Sequence, residues 1–189
     1  KTIPCIVPDD YGGAYALTQY LLENGHTKII YLSNNLIDDR TGKKIPATLA
    51  REAGFLQALR DRGLNPDPAE CILPISINGS EVVKVAMEIL QRKDRPTAIM
   101  CYNDRMAMGV YSASALLGLK IPNDLSVVGY DNQKVVSEFL YPYLTTVELP
   151  HYQMGEMAIR YLETHKYPFR YVQKAIMPRL VIRDSVRKI

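Results

Sequence analysis

The residues best placed to do chemistry are charged groups at the ends of apolar runs. In LSVVGYDN (125–132) a strand-like apolar stretch runs directly into Tyr130, Asp131 and Asn132. A carboxylate held at a strand tip can accept hydrogen bonds from hydroxyls or amines and can pair with a cation. Arg51, in REAGF (51–55), supplies a candidate cation. It stands near the start of an amphipathic stretch, where a positive charge opposes the helix dipole by ~0.3–1 kcal/mol. It also lies off the expected core stripe of Leu49, Ala53 and Leu56. A partner across a cleft accounts for both properties. Charge-assisted hydrogen bonds from such a pair to a ligand contribute about 1.5–3 kcal/mol each. Plainer readings stand beside this one: Asp131 and Asn132 as a turn, Asp104 as a helix cap, and Arg51 as a solvated helix residue.

Other chemistries have no such footing. The chain has no GxGxxG, P-loop, HExxH or GxSxG pattern, and no His/Cys grouping with metal-ligand spacing. No catalytic residue, metal or cofactor is therefore assigned. Asp9 and Asp10, like Asp38 and Asp39, are sequence neighbours rather than an acid/base pair placed by a fold. His26, in NGHTK, reads as a dipole partner at a helix C-terminus, and His151 lies where a loop becomes a helix. Met100, Met106 and Met108 read as core filling. HKYPFRYVQK (165–174) reads as an exposed turn and DDRTGKK (38–44) as a solvated loop.

The elements that must position these groups alternate. Strand-like IPCIV (3–7), KIIYLS (28–33), CILPIS (71–76), TAIMCY (97–102) and LSVVGY (125–130) are separated by helical stretches. The helices cover 11–25, with Ala14, Leu17, Leu21 and Leu22 near one face, then 48–63, 80–93 and 104–118. Thr48 is a candidate cap and Gly63 a stop. Strands joined by helical crossovers imply an α/β fold with a parallel sheet flanked by helices. Such strands are buried on both faces and are apolar throughout. In an open parallel sheet, ligands bind beyond the carboxyl ends of the strands. Those ends are Ser33-Asn34, Ser76-Ile77-Asn78, Tyr102-Asn103-Asp104 and Tyr130-Asp131-Asn132. Asp131 is then a polar tip aimed into a shared cleft. Beyond it, SEFLYPYLTTVELP (137–150) reads as irregular, HYQMGEMAIRYLETH (151–165) as a helix and AIMPRLVIRD (175–184) as strand-like, broken by Pro178.

Composition bounds the rest. The 189 residues are 47% hydrophobic and 23% charged, ordinary for a globular chain, and the net charge of +3 is too small to argue for a nucleic-acid surface. No apolar run approaches the roughly 20 residues of a membrane span. Cys5, Cys71 and Cys101 are odd in number, far apart and set among apolar residues, which fits free thiols in a reducing compartment. A start at Lys1 is read as a cut from something longer.

Six stretches in order resemble the effector domain of the lactose/purine-repressor (LacI/GalR) family. They are DDYGGAYALTQYLLENGHTKIIYLS (9–33), REAGFLQAL (51–59), RPTAIMCYNDRMAMGV (95–110), IPNDLSVVGYDN (121–132), YLTTVELPHYQMGE (143–156) and PRLVIRDS (178–185). The resemblance implies a periplasmic-binding-protein-like fold of type I, with one nearly complete lobe and part of a second. Residues 11–148 with 179–186 would form the C-terminal lobe, and 1–10 with 149–178 part of the N-terminal lobe. Hinges would fall near Asp10, near Leu149 and just before Pro178. The family's helix-turn-helix DNA-binding domain is absent from this sequence.

Residue by residue, the resemblance carries effector contact to Arg51, Asn103 and Asp131, with Leu149 and His151 on the hinge side. Ile77 stands where an aromatic is usual, and the lengthened loop NNLIDDRTGKKIPA (34–47) places Ile45 and Ala47 where polar contacts are common. The implied function is effector binding and dimerisation in a LacI-type transcriptional regulator. The effector would be a sugar, a nucleobase-like molecule or another small metabolite. Operator DNA would be met only through the missing N-terminal domain. The implied protein is a cytoplasmic homodimer, not a membrane protein or an enzyme, and SEFLYPYL (137–144) resembles part of the dimer surface. A periplasmic sugar or solute-binding protein is the alternative on the same fold.

Overall fold

The computed structural model describes residues 4–164 and 173–189. Its centre is a four-stranded, all-parallel sheet in the order β5 (Ile72–Ile75), β2 (Ile29–Asn34), β6 (Ala98–Cys101), β7 (Ser126–Val128). Every residue of β2, β6 and β7 is buried, as continuous apolar runs covered on both faces must be. Helices α1 (Asp10–Glu23) and α2 (Pro46–Asp61) pack together, as do α4 (Gly79–Leu90) and α5 (Asp104–Leu116). Leu17, Leu21, Leu32, Phe55, Ile89, Ile99, Met100 and Val127 fill the core, and the Tyr31 and Phe55 rings meet at 5.4 Å between centroids.

The α1–α2 contact overturns the expected face of α2. Its buried residues are Thr48, Arg51, Gly54, Phe55, Ala58 and Leu59, whereas Ala53 is exposed and Leu49 is 50% exposed. Gly54 is the cause. A Cβ there would collide with the Tyr11 carbonyl oxygen and approach the Tyr15 amide to 3.0 Å, so only glycine permits this approach. Arg51, one turn earlier, is thereby drawn onto the packed face. Thr48 is not the cap: Ile45 is, with no side-chain bond, and Pro46 opens the helix.

Several other expectations change. The solvated loop after β2 contains a small hairpin of β3 (Ile37–Asp38) and β4 (Lys43–Lys44), held by Asp38 opposite Lys43. Cys71 ends a short helix, α3 (Pro68–Cys71), rather than starting a strand. The stretch read as irregular holds the end of α6 (Lys134–Ser137) and β8 (Thr146–Glu148). Met108 is exposed, unlike Met100 and Met106. Cys101 is buried, Cys5 and Cys71 are half-buried, and all three thiols are free. His26 is no surface dipole partner. Its buried ring bonds Thr97 Oγ1 at 2.9 Å and the Arg187 carbonyl at 3.0 Å, and the Ile189 amide bonds the Asn24 carbonyl, tying the C-terminal segment across the sheet's amino-terminal edge.

The chain passes out of this body and back at three places. β1 (Cys5–Pro8) pairs in parallel with β9 (Gln173–Ile176) in a separate two-stranded sheet, and α7 (His151–Thr164) packs against β1. β8 and β10 (Arg179–Val181) pair antiparallel and join the main sheet through Gly129 N–H to the Thr145 carbonyl and Asp131 N–H to the Val147 carbonyl. The links are Asp9 between β1 and α1, Leu149–Pro150 between β8 and α7, and Met177–Pro178 between β9 and β10. No described residue of α7 is buried. Most of HKYPFRYVQK lies outside the described residues. No described helix is long and apolar enough to cross a membrane.

Candidate functional site

Parallel pairing sends the ends of β2, β5, β6 and β7 to one rim. The rim is stitched by the backbone, with Tyr102 N–H donating to the Leu32 carbonyl and Asp104 N–H to the Tyr130 carbonyl, each at 2.9 Å. After Tyr130 the chain turns through positive φ at Asp131 (96°) and Asn132 (48°). Non-glycine residues in that region cost of order 1–3 kcal/mol and persist only where their surroundings hold them. Here the holding groups are the Val147 carbonyl on the Asp131 amide and a ring of bonds around Asn132. Asn132 Nδ2 donates to Glu148 at 3.0 Å, and its Oδ1 accepts from Ser137 at 3.2 Å and Arg183 at 2.9 Å.

Arg51 and Asp131 meet at this rim. Arg51 is only 5% exposed. Its Nε donates to Asp10 Oδ1 at 2.8 Å, Nη1 to the Tyr102 carbonyl at 2.7 Å, and Nη2 reaches Asp131 Oδ1 at 3.5 Å. The guanidinium carbon lies 3.7 Å from the Tyr130 ring centroid and 4.6 Å from that of Tyr102. A planar, always-charged group with a fork of donors suits such a site, where a lysine would leave acceptors unmatched. Burial by itself would lower the Arg51 pKa, but Asp10, Tyr130 and Asp131 outweigh it and the net direction is upward. Burial also raises the Asp131 pKa, with Arg51 opposing and Asp10 adding to the rise. The Asp131 side chain keeps 21% of its surface accessible, and among the described residues its second oxygen has a hydrogen-bond contact with Gln133 Nε2 alone, at 3.4 Å.

The cap expected of Asp104 is Asn103 instead. Asn103 caps α5 by accepting the Met106 amide on Oδ1 at 2.9 Å, and it belongs to the same rim one residue beyond Tyr102. Asp104 does not cap. Fully buried, it accepts Thr146 Oγ1 and the Gln133 amide, each at 2.6 Å, and burial pushes its pKa up to about 7 against the pull of those two bonds. Gly129 leaves the room, since a Cβ there would overlap Asp104 Oδ1. This carboxyl fastens α5, β8 and the start of α6 (Lys134–Ser137) together behind the rim.

The remaining expected residues take no part in the Arg51 hydrogen bonds. Ile77, past the end of β5, is half-buried against the core. Leu149 and His151 line a shallow depression of about 430 Å³ with Glu148, Met177 and Arg179, at the linking segments. A larger hollow of about 620 Å³ at the opposite end of the sheet, between Lys28, Leu64, Cys71 and Arg92, touches none of these groups. Burial raises the Cys71 thiol there to about 11, which leaves it unreactive at neutral pH. Among the described residues no cluster of His, Cys, Asp and Glu could hold a metal ion.

Sequence reasoning missed three participants. Asp10 belongs to the Arg51 cluster rather than being a mere neighbour of Asp9, which caps α1 by accepting the Gly12 amide at 2.9 Å. Both stand at the junction of β1 and α1, so no local signal singled out Asp10. The Tyr102 and Tyr130 rings against Arg51 were the second omission. The third is Glu52, which accepts Ser33 Oγ and Lys44 Nζ at 2.6 Å each and ties the β3–β4 hairpin to the rim.

With this geometry in place, likeness to known proteins becomes informative. The periplasmic binding protein-like domain model matches residues 18–186. The chain belongs to that family. Its resemblance to LacI-type effector domains also holds over nearly its whole length. It is 35% identical over 188 residues to the HTH-type transcriptional repressor PurR of Vibrio vulnificus, covering 97% of this chain and 53% of the relative. The PurR of Mannheimia succiniciproducens is 37% identical over 187 residues, with the same coverage. The chain thus spans about half the length of the curated relatives it matches. A LacI-family transcriptional regulator from Mycobacterium smegmatis superposes with a TM-score of 0.80 at 28% identity, over 97% of this chain and 66% of that one. A CelR–cellobiose complex superposes equally well, at 0.80 and 26% identity, over 97% and 54%. These four relatives are named as transcriptional repressors or regulators, not as solute-capture proteins.

Proposed function

We propose that this chain is the effector-sensing part of a LacI-type transcriptional regulator. Its effector is a sugar, a nucleobase-like molecule or another small metabolite, held in a cleft above the sheet rim. Asp131 and Asn103 contact the effector directly and Arg51 fixes Asp131 in place. Leu149 and His151 border the cleft from the linking segments, and Ile77 lines it without a stacking ring. Residues 11–148 with 179–186 form one lobe, and 1–10 with 149–178 contribute to the other. Operator DNA is read by a helix-turn-helix elsewhere in the full-length cytoplasmic protein, and no turnover occurs.

The observation that carries this reading is the meeting of Arg51 and Asp131 at the rim, immediately beside the links between the two sheets. A molecule bound there touches a group whose backbone is bonded to β8 and whose cation is bonded to Asp10. If it favours one lobe arrangement over another, it shifts their populations.

Operator binding by the full-length protein, followed by fluorescence anisotropy across a metabolite panel, tests the proposal. One compound is expected to change operator affinity by about 5–150-fold, the range of ordinary allosteric coupling. Asp131→Ala is expected to erase that response while leaving basal operator affinity intact. Retention of the full response by Asp131→Ala would overturn the assignment.

A further inference from the structure

Each of the three guanidinium nitrogens of Arg51 already has a partner within this chain: Asp10, the Tyr102 carbonyl and Asp131. Two carboxylates against one guanidinium leave one negative charge in excess. Asp10 is the closer of the two, and its side chain is only 11% accessible, so its role is toward Arg51. Neighbouring cations bring no relief. Lys44 Nζ is held by Glu52 at 2.6 Å, Arg179 by Glu148 at 2.6 Å, and Arg183 by the Leu144 carbonyl and Asn132.

We infer that Asp10 sets the charge class of the effector. The Asp10–Arg51–Asp131 cluster admits an uncharged or cationic molecule that donates hydrogen bonds through hydroxyl or amine groups, and it excludes phosphorylated and carboxylated ones. The inference rests on the cleft being the effector site, as proposed above. An incoming anion would have to take Arg51 from Asp10 or Asp131, stranding a largely buried carboxylate without its partner, which is a strongly unfavourable exchange. A hydroxyl or amine displaces nothing. It meets the outer oxygen of Asp131, whose one hydrogen-bond contact among the described residues is the 3.4 Å amide of Gln133. Asp10 is thus a positioning residue: it holds Arg51 back from the ligand and adds the charge that repels anions.

Inorganic phosphate is the probe. In the full chain, the Arg51 Nε–H resonance reports on phosphate added at constant ionic strength. The wild-type protein is expected to show no saturable shift. Asp10→Asn keeps the side-chain volume and removes the charge, and is expected to bind phosphate at least about ten-fold more tightly, since one nearby charge at moderate dielectric is worth that much or more. Adding Arg51→Gln should abolish the gain. Asp131→Asn removes the other carboxylate and should act in the same direction, which keeps the test open should Asp10→Asn fold poorly. Saturable phosphate binding at Arg51 in the wild type, or unchanged affinity in both Asn variants, overturns the inference. So does stronger thermal stabilisation of the full-length protein by a sugar phosphate than by its parent sugar. These readings do not depend on operator DNA, so a failure of the regulator proposal is seen separately, in the anisotropy experiment.

Discussion

Arg51 Nε stands 2.8 Å from Asp10 Oδ1, closer than its Nη2 stands to Asp131 at 3.5 Å. The strongest ionic contact of this cation is therefore with the residue that opens α1, and Asp131 is its second partner. Arg51 is a structural cation before it is anything else.

Truncating it should consequently unfold the protein more easily. Arg51→Ala leaves Asp10 and Asp131 without their counter-charge and the Tyr102 carbonyl without a donor. The expected loss is ~3–5 kcal/mol, the usual result of breaking a buried pair on one side. Urea denaturation followed by circular dichroism measures it. A loss below about 1 kcal/mol, typical of solvent-exposed ion pairs, would contradict the burial described here.

Stability should also depend on pH through Asp104. Its folded pKa of about 7 lies above the ordinary carboxylate value of 3.8, so protonation favours the fold. That contribution is complete below the unfolded value, is lost as pH rises toward 7, and stays lost above it. Asp131, also shifted upward, adds a slope of the same sign. Each unit of upward shift corresponds to about 1.4 kcal/mol. Asp104→Asn should flatten the decline in unfolding free energy between about pH 4 and about pH 7, where the wild type loses a few kcal/mol. An identical slope in both proteins would remove Asp104 from the account.

The aromatic strip after α6 should govern association. Phe139 is 83% and Tyr141 89% exposed, and the Tyr141 and Tyr143 rings meet edge to face at 6.4 Å. Exposed aromatics grouped in this way mark association surfaces. Phe139→Ser with Tyr141→Asp is expected to weaken self-association at least about ten-fold, as loss of aromatic anchors usually does. Sedimentation equilibrium on the full-length protein reads the change, and an unaltered dimer fraction would place the interface elsewhere.

Much of the frame was legible in the residues themselves. Apolar strands alternating with helices meant a parallel sheet, and a parallel sheet meant that Asn103 and Asp131 would share a rim. The face of α2 was not legible. Leu49, Ala53 and Leu56 look like a core stripe, yet the packed face is set by Gly54 against Tyr11, and that close approach is a property of two helices together. Asp10 was overlooked for a similar reason. Its carboxylate is brought to Arg51 from 41 positions away by the packing of α1 on α2, and nothing local distinguishes it from Asp9. A carboxylate at a helix start suggests Asp104 as the cap, yet the neighbouring Asn103 is the true cap, and the local sequence offers both.

The three links between the sheets are one or two residues long, and charged groups flank them: Asp10 follows the first, Glu148 precedes the second and Arg179 follows the third. Glu148 and Arg179 grip each other at 2.6 Å, while Asp10 grips Arg51. Straps this short leave little slack. Asp10 directly follows the first strap, so a pivot of the β1–β9 sheet is passed to the residue that grips Arg51, and that grip works as a strain gauge on the joint.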